Sequence, residues 1–161
     1  MSSTVVVRKI IDSDRPGIKQ FLQEHWSDSR LINSLSEHEG SELPGFVIYM
    51  DGFIVGLLTY HLDGESCELV SINSTMPGHG IGSMLLRSLE DVAAQEGCKR
   101  IWAMTTNNNC AALRFYQKRG YDIKAVHFDS LAALRLRKPS IPLVEDGIIL
   151  KSEIEVEKRL N

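Results

Sequence analysis

Cysteine is scarce in this sequence: three residues, at 67, 98 and 110, with no Cys-x-x-Cys spacing. A disulfide framework is therefore not indicated, and the five histidines show no ligand spacing, so no metal is expected. No apolar run approaches the roughly 20 residues of a membrane span, which argues against a membrane partner. The opening MSSTVVVRKI lacks a basic region followed by a long apolar stretch and a cleavage site, so a cytoplasmic protein is expected. Aromatic residues make up only 7% and are not interleaved with basic ones; together with the net charge of −3 this argues against a nucleic-acid partner.

What is present is the composition of an ordinary globular domain, 43% apolar and 24% charged over 161 residues, enough for one hydrophobic core. The charge is uneven: residues 97–138 hold nine Lys or Arg against two acidic residues, a local balance of +7 that leaves −10 for the remainder. A solvated basic face explains this, and so does a surface that attracts an anionic ligand.

Thr4 to Ile11 is β-branched and predicts a strand; Pro16, Ile18, Phe21, Leu22 and Trp26 predict a helix over about 14–25. Ser27 to Glu42 is polar and reads as a short helix plus a loop. FVIYM and FIVGLLTYHL flank Asp51-Gly52, and a second Asp-Gly pair leads into ESCELVSINS, so three antiparallel strands in a meander are expected. Gly56 inside the middle strand suggests a bulge or a close neighbour.

Next comes a glycine turn, Pro77-Gly78-His79-Gly80-Ile81-Gly82, opening into a helix whose Ile81, Met84, Leu85, Leu89, Val92 and Ala93 recur at helical spacing up to Gly97. Such a junction is either a tight turn or a phosphate site, because first-turn N–H groups lack intrahelical partners. KRIWAMT reads as a buried parallel strand, Asn107 to Asn109 as caps for a helix over about 109–119, Tyr121 to Phe128 as a strand, and Ile148 to Val156 as the last strand. The whole reads as a single α/β domain over 1–161, with no internal repeat.

Two separated motifs make the chain resemble the GNAT acetyltransferase superfamily. Pro77 to Gly82 is similar to its acetyl-CoA pyrophosphate loop, and Asn109-x-x-Ala112-x-x-x-Tyr116-x-x-x-Gly120-Tyr121 to its second block. One departure stands out: Pro77 occupies the position usually held by Arg or Gln. Backbone N–H groups of Gly78, His79, Gly80, Ile81 and Gly82 remain for an anion.

The resemblance implies an α/β (α+β) fold, a central mixed sheet of about six or seven strands with an N-terminal meander and about four flanking helices. It implies an N-acetyltransferase moving an acetyl group from acetyl-CoA, as cosubstrate, to a primary amine of a small molecule or protein in a ternary complex. A homodimer is compatible with it. The pantetheine arm would pair with Val70, Ser71, Ile72 and Asn73, with a main-chain N–H near Val70 on the oxyanion. Tyr116 would be the general acid and also touch the cofactor, and Asn109 would reach the cofactor or cap its helix. Glu68 would deprotonate the amine through water; His127, His61 and Glu65 are substitutes. Acceptor contacts would come from His25, Trp26 and the segment from His127 to Arg137, beside an acidic loop carrying Glu24, Asp28, Glu37, Glu39 and Glu42. Cys110 reads as filler near the cofactor. The alternative function is a catalytically weak acyl-CoA-binding sensor; a plain nucleotide binder lacks the Lys-Ser/Thr of a P-loop.

Overall fold

In the computed structural model, which describes residues 5–160, Asp51 and Gly52 adopt φ of 52° and 81°. That is the left-handed geometry a two-residue hairpin requires, and Asp and Gly tolerate it. The turn joins β4 (Gly45–Met50) to β5 (Phe53–Asp63), which turns again at Gly64 and Glu65 into β6 (Ser66–Ser74). Upstream lie β1 (Arg8–Lys9), α1 (Arg15–Trp26), β2 (Arg30–Ile32) and β3 (Glu37–Glu39). Downstream follow α2 (Ile81–Gln95), β7 (Arg100–Thr106), α3 (Cys110–Lys118), β8 (Asp122–His127), α4 (Ser130–Arg137), β9 (Val144–Glu145), β10 (Ile148–Ile149) and β11 (Glu153–Arg159).

Seven strands form one mixed sheet in the order β1-β4-β5-β6-β7-β11-β8, antiparallel except between β6 and β7. On one face α2 lays Ile81, Leu85, Leu86, Leu89 and Ala93, with Tyr116 of α3, against Phe46, Leu58, Leu69, Ile101 and Val156. On the other, Ile18, Phe21 and Leu22 of α1 pack with Leu31, Val47 and Leu57. Leu131 and Leu134 of α4 join Leu150 in a third cluster.

Three segments differ from the sequence-based expectation. The polar stretch after α1 is not a helix and loop but a hairpin of two three-residue strands plus a 3-10 turn at Gly40–Glu42, and α1 ends where Ser27 takes φ 63°. Of the opening strand only Arg8–Lys9 pairs, and its Thr4 end lies outside the described residues. The stretch from Ile148 to Val156 is two strands: β10 closes a small hairpin with β9, and β11 begins at Glu153 and runs to Arg159 between β7 and β8.

Gly56 has both features expected of it. The pairing steps from Ile48↔Gly56 to Tyr49↔Ile54, a bulge, and a Cβ on Gly56 would meet Ile81 Cγ2 at 2.6 Å.

Asp14 ties β1 to α1 and β4. Its carboxylate accepts from Arg8 at 2.7 and 2.8 Å, from the Ile11 N–H at 2.8 Å and from the Tyr49 hydroxyl at 2.9 Å. The Arg8 guanidinium, helped by the other two donors and opposed by burial, holds this carboxyl far below the usual range. A depressed folded value means the stabilisation is complete above the unfolded value of about 4 and is lost as pH falls toward the folded one. Asp14→Asn therefore lowers the melting temperature at neutral pH, and the gap to wild type shrinks in acid. A gap that stays constant between about pH 7 and pH 3 would contradict this.

Candidate active site

β6 and β7 pair only at Ser66↔Arg100, Cys67↔Ile101 and Glu68↔Trp102. Beyond Glu68 and Trp102 the strands separate, and the backbone edge of β6 that faced β7 is left without a strand partner. Within this stretch the pairing to β5 steps from Thr59↔Ser71 to Tyr60↔Leu69, so Val70 is the extra residue of a bulge. A bulge re-aims the local backbone. Here it lies where the edge opens.

A cleft of ≈ 790 Å³ occupies the opening. Val70, Ser71, Ile72 and Asn73 line one side, Met104 to Thr106 with Asn109, Ala112 and Tyr116 the other, and His25 and Trp26 the mouth. Trp26 Nε1 donates to Asn73 Oδ1, which latches the end of α1 to the end of β6. Asn109 caps α3, its side chain accepting from the Ala112 N–H at 3.1 Å. Tyr116, 5% exposed, stands two helical turns further on. Burial pushes its phenol well above the ordinary value, so it stays a donor.

The glycine loop precedes α2, and Gly78 and Gly80 have φ of 82° and 73°. No atom lies within 4 Å of a Cβ placed on either, whereas one on Gly82 would meet the Phe115 ring at 2.9 Å. His79 Nδ1 lies 3.2 Å from the Pro77 carbonyl oxygen. The Ile81 side chain is buried in the core.

Of the expected residues, Gly78 to Gly82 do not line the cleft, and Glu68 and His127 stand elsewhere. Glu68, 4% exposed, lines a second pocket of ≈ 440 Å³, where its carboxylate faces His38 Nε2 at 2.9 Å, Ser36 Oγ at 2.6 Å and Asn33 Nδ2 at 3.2 Å. His127 does not line the cleft; its Nε2 lies 3.1 Å from Glu155 Oε1. Of the substitute bases, His61 shares the pocket with Glu68 and Glu65 forms an exposed pair with Lys99. Cys110 is exposed at the start of α3, while burial pushes the Cys67 thiol up to about 12.

A family model described as the acetyltransferase (GNAT) family matches residues 7–121. The chain belongs to this family. It is 38% identical over 143 residues, 88% of this chain and 89% of the relative, to the uncharacterized protein YdhI of Bacillus subtilis (strain 168). The IAA acetyltransferase of Bacillus cereus ATCC 14579 shares the fold with a TM-score of 0.74 and 22% identity, covering 98% of this chain and 100% of that one. The putative streptothricin acetyltransferase of Bacillus anthracis str. Ames, in complex with acetyl coenzyme A, superposes with a TM-score of 0.71 at 18% identity, covering 98% of each chain.

The residues here fit an acyl-CoA: an unpartnered strand edge with a bulge that borders the cleft, and an open glycine turn at a helix N-terminus. Three features of this GNAT site lay beyond sequence reasoning. Arg119, at the end of α3, donates to Ser83 Oγ from Nε at 3.0 Å and Nη2 at 2.6 Å and stacks on Phe115 at 3.9 Å. It fixes a positive charge beside the first turn of α2, where Pro77 supplies none. Asn33 and Ser36 line a cavity of ≈ 150 Å³ that also includes Trp26, Val70 and Thr105, and both hydrogen-bond Glu68. Glu153 lines this cavity and the large cleft. Only the tertiary packing of α3 on α2, and of the short hairpin under the sheet, reveals these residues.

Proposed function

We propose that this chain is one catalytic domain that transfers an acetyl group from acetyl-CoA to a primary amine, of a small molecule or a protein, by direct attack in a ternary complex. The observation that carries the reading is convergence. Val70 to Asn73, from before the glycine loop, and Asn109 with Tyr116, from the second motif, line one cleft whose mouth holds His25 and Trp26.

Acetyl-CoA supplies an activated acyl group as a thioester. The chain holds it through the free edge of β6 and the N–H groups of Gly78 to Gly82, with Arg119 adding charge. A main-chain N–H at the Val70 bulge serves the developing oxyanion. Tyr116 donates its phenolic hydrogen to the departing sulfur. Glu68 takes the amine proton by way of Ser36, which lines the small cavity and donates to Glu68 at 2.6 Å.

Glu68→Gln is expected to slow turnover at neutral pH by about a hundredfold and to recover as pH rises and the free amine becomes neutral unaided. A pH profile parallel to wild type would remove Glu68 from the role. The reading as a whole is tested by acetyl-CoA binding and by CoA release across a panel of amines. Binding without release for every amine class would favour the sensor, and no binding would sink the acyl-CoA site.

A further inference from the structure

β11 carries three buried glutamates on one face, Glu153, Glu155 and Glu157, at 3%, 8% and 8% exposure. Burying a carboxylate without a counter-charge is costly, so a cation should stand beside each. Two comply. Glu155 accepts from Arg100 Nη2 at 3.0 Å and faces His127; Glu157 lies within ion-pair distance of Arg100, Lys124 and Arg159.

Glu153 makes no ion pair among the described residues. Its contacts are long ones from the Ser34 N–H, at 3.3 and 3.4 Å. The basic residue in the cavity lining, Lys138, turns its ammonium to main-chain carbonyls, 3.1 Å from that of Arg30 and 3.5 Å from that of Trp26. Both Glu153 and Glu155 border open space, but Glu155 does so in the ≈ 440 Å³ pocket beside Arg100, whereas Glu153 faces the ≈ 150 Å³ cavity shared with Trp26, Asn33 and Val70 without an ion pair among the described residues.

We propose that Glu153 binds the cationic nitrogen of the acceptor, making the acceptor an alkylammonium rather than an anionic or neutral amine. The claim rests on the acetyltransferase reading and assigns its acceptor pole. Glu153 supplies the negative charge that an ammonium would pair with, and Trp26, which lines the same cavity, an aromatic wall suited to a cation. The N–H donors of a primary ammonium meet the Glu153 carboxylate; the Asn33 side-chain oxygen is already occupied by the N–H groups of Leu35 and Ser36. The nitrogen is then held beside Val70, where the acyl carbon must lie for attack. Ser36 leads from the same cavity to Glu68, so the residue that binds the cation and the residue that takes its proton are distinct.

The test uses Glu153→Gln, which keeps the shape and an acceptor for Ser34 but removes the charge. Thermal melting is followed with butylammonium and putrescine, against butanol and sodium chloride as neutral and ionic controls, with and without CoA. Wild type is expected to be stabilised by at least one of the two ammonium ions beyond both controls, and E153Q to lose that response. Without any added amine, E153Q melts no lower than wild type, because an uncompensated buried charge has gone. In turnover with whichever amine supports it, the acceptor KM of E153Q rises about 10–100-fold while acetyl-CoA affinity is unchanged.

An equal ammonium response in the two proteins, no response in wild type, or an E153Q protein that melts well below wild type each overturns the proposal; the last would mark Glu153 as a structural anchor for the hairpin. Absence of acetyl-CoA binding by wild type would instead overturn the parent reading, and the melting comparison without CoA would still judge Glu153.

Discussion

Tyr116→Phe reduces turnover by about a hundredfold and leaves acetyl-CoA affinity within a factor of about two, because the lost hydroxyl acts on the leaving sulfur and not on the bound cosubstrate. The size follows from burial. General acids contribute roughly 10²–10⁴, most when the acid's pKa lies near the working pH. Burial pushes the Tyr116 phenol upward, so complete proton transfer to a thiolate is uphill and the hydroxyl works mainly as a hydrogen-bond donor. That places the effect at the lower end of the range. It also fixes the pH profile: wild-type turnover should show no falling limb from Tyr116 below about pH 10, since the raised phenol remains protonated there. Unchanged turnover in Tyr116→Phe, measured as CoA release at saturating amine, would remove Tyr116 from the chemistry. A large loss of cosubstrate affinity would recast it as a binding residue.

Most of the cofactor side could be read from the sequence because it is built from local signals. Asp51-Gly52 specifies its own turn, the apolar spacing from Ile81 to Ala93 specifies the face of α2, and Asn109 caps the helix that carries Tyr116. Each signal acts within one element and its immediate neighbours. The GNAT likeness then joined two motifs whose meeting in space no periodicity could establish.

The acceptor side could not be read in this way, and the reason is physical. Arg30–Ile32 and Glu37–Glu39 are three-residue strands, too short for a period to show; Arg30, Glu37 and Glu39 are exposed, while His38 and the turn residues Asn33, Ser34 and Ser36 serve Glu68 and Glu153. β11 is mostly charged yet lies inside the sheet, because Arg100 and Lys124 from neighbouring strands and Arg159 at its own end neutralise Glu155 and Glu157. Alternation of apolar and polar residues reached the strand's first four residues, Glu153 to Val156, but could not show that its glutamate face is buried. The packed hairpin gives Glu68 three side-chain hydrogen-bonding partners among the described residues and leaves Glu153 without a cation among them.

The largest loss of stability is expected from a glycine outside both motifs. A Cβ on Gly45, the first residue of β4, would lie 1.9 Å from the Leu58 carbonyl oxygen and 2.9 Å from Ile10 Cδ1. The obstacle is backbone: Gly45 pairs with Thr59 across β5, and its own carbonyl accepts from the Ile10 N–H at 3.0 Å. The Leu58 carbonyl cannot turn aside as the Ile10 side-chain tip can, so Gly45→Ala must push β4 and β5 apart. Overpacking ordinarily costs about 1–3 kcal/mol, and a clash with a fixed carbonyl belongs at or above the top of that range. At about 2–4 °C per kcal/mol for a chain of this length, the melting temperature should fall by roughly 6–12 °C. Gly82→Ala is the control, since its 2.9 Å contact is to the edge of the Phe115 ring, which can shift. That variant should melt near wild type and lose acetyl-CoA affinity instead. If the two variants melted alike, the distinction between a backbone and a side-chain obstacle would not govern this sheet, and the rigidity ascribed to β4 and β5, on which β6 and its Val70 bulge depend, would have to be sought elsewhere.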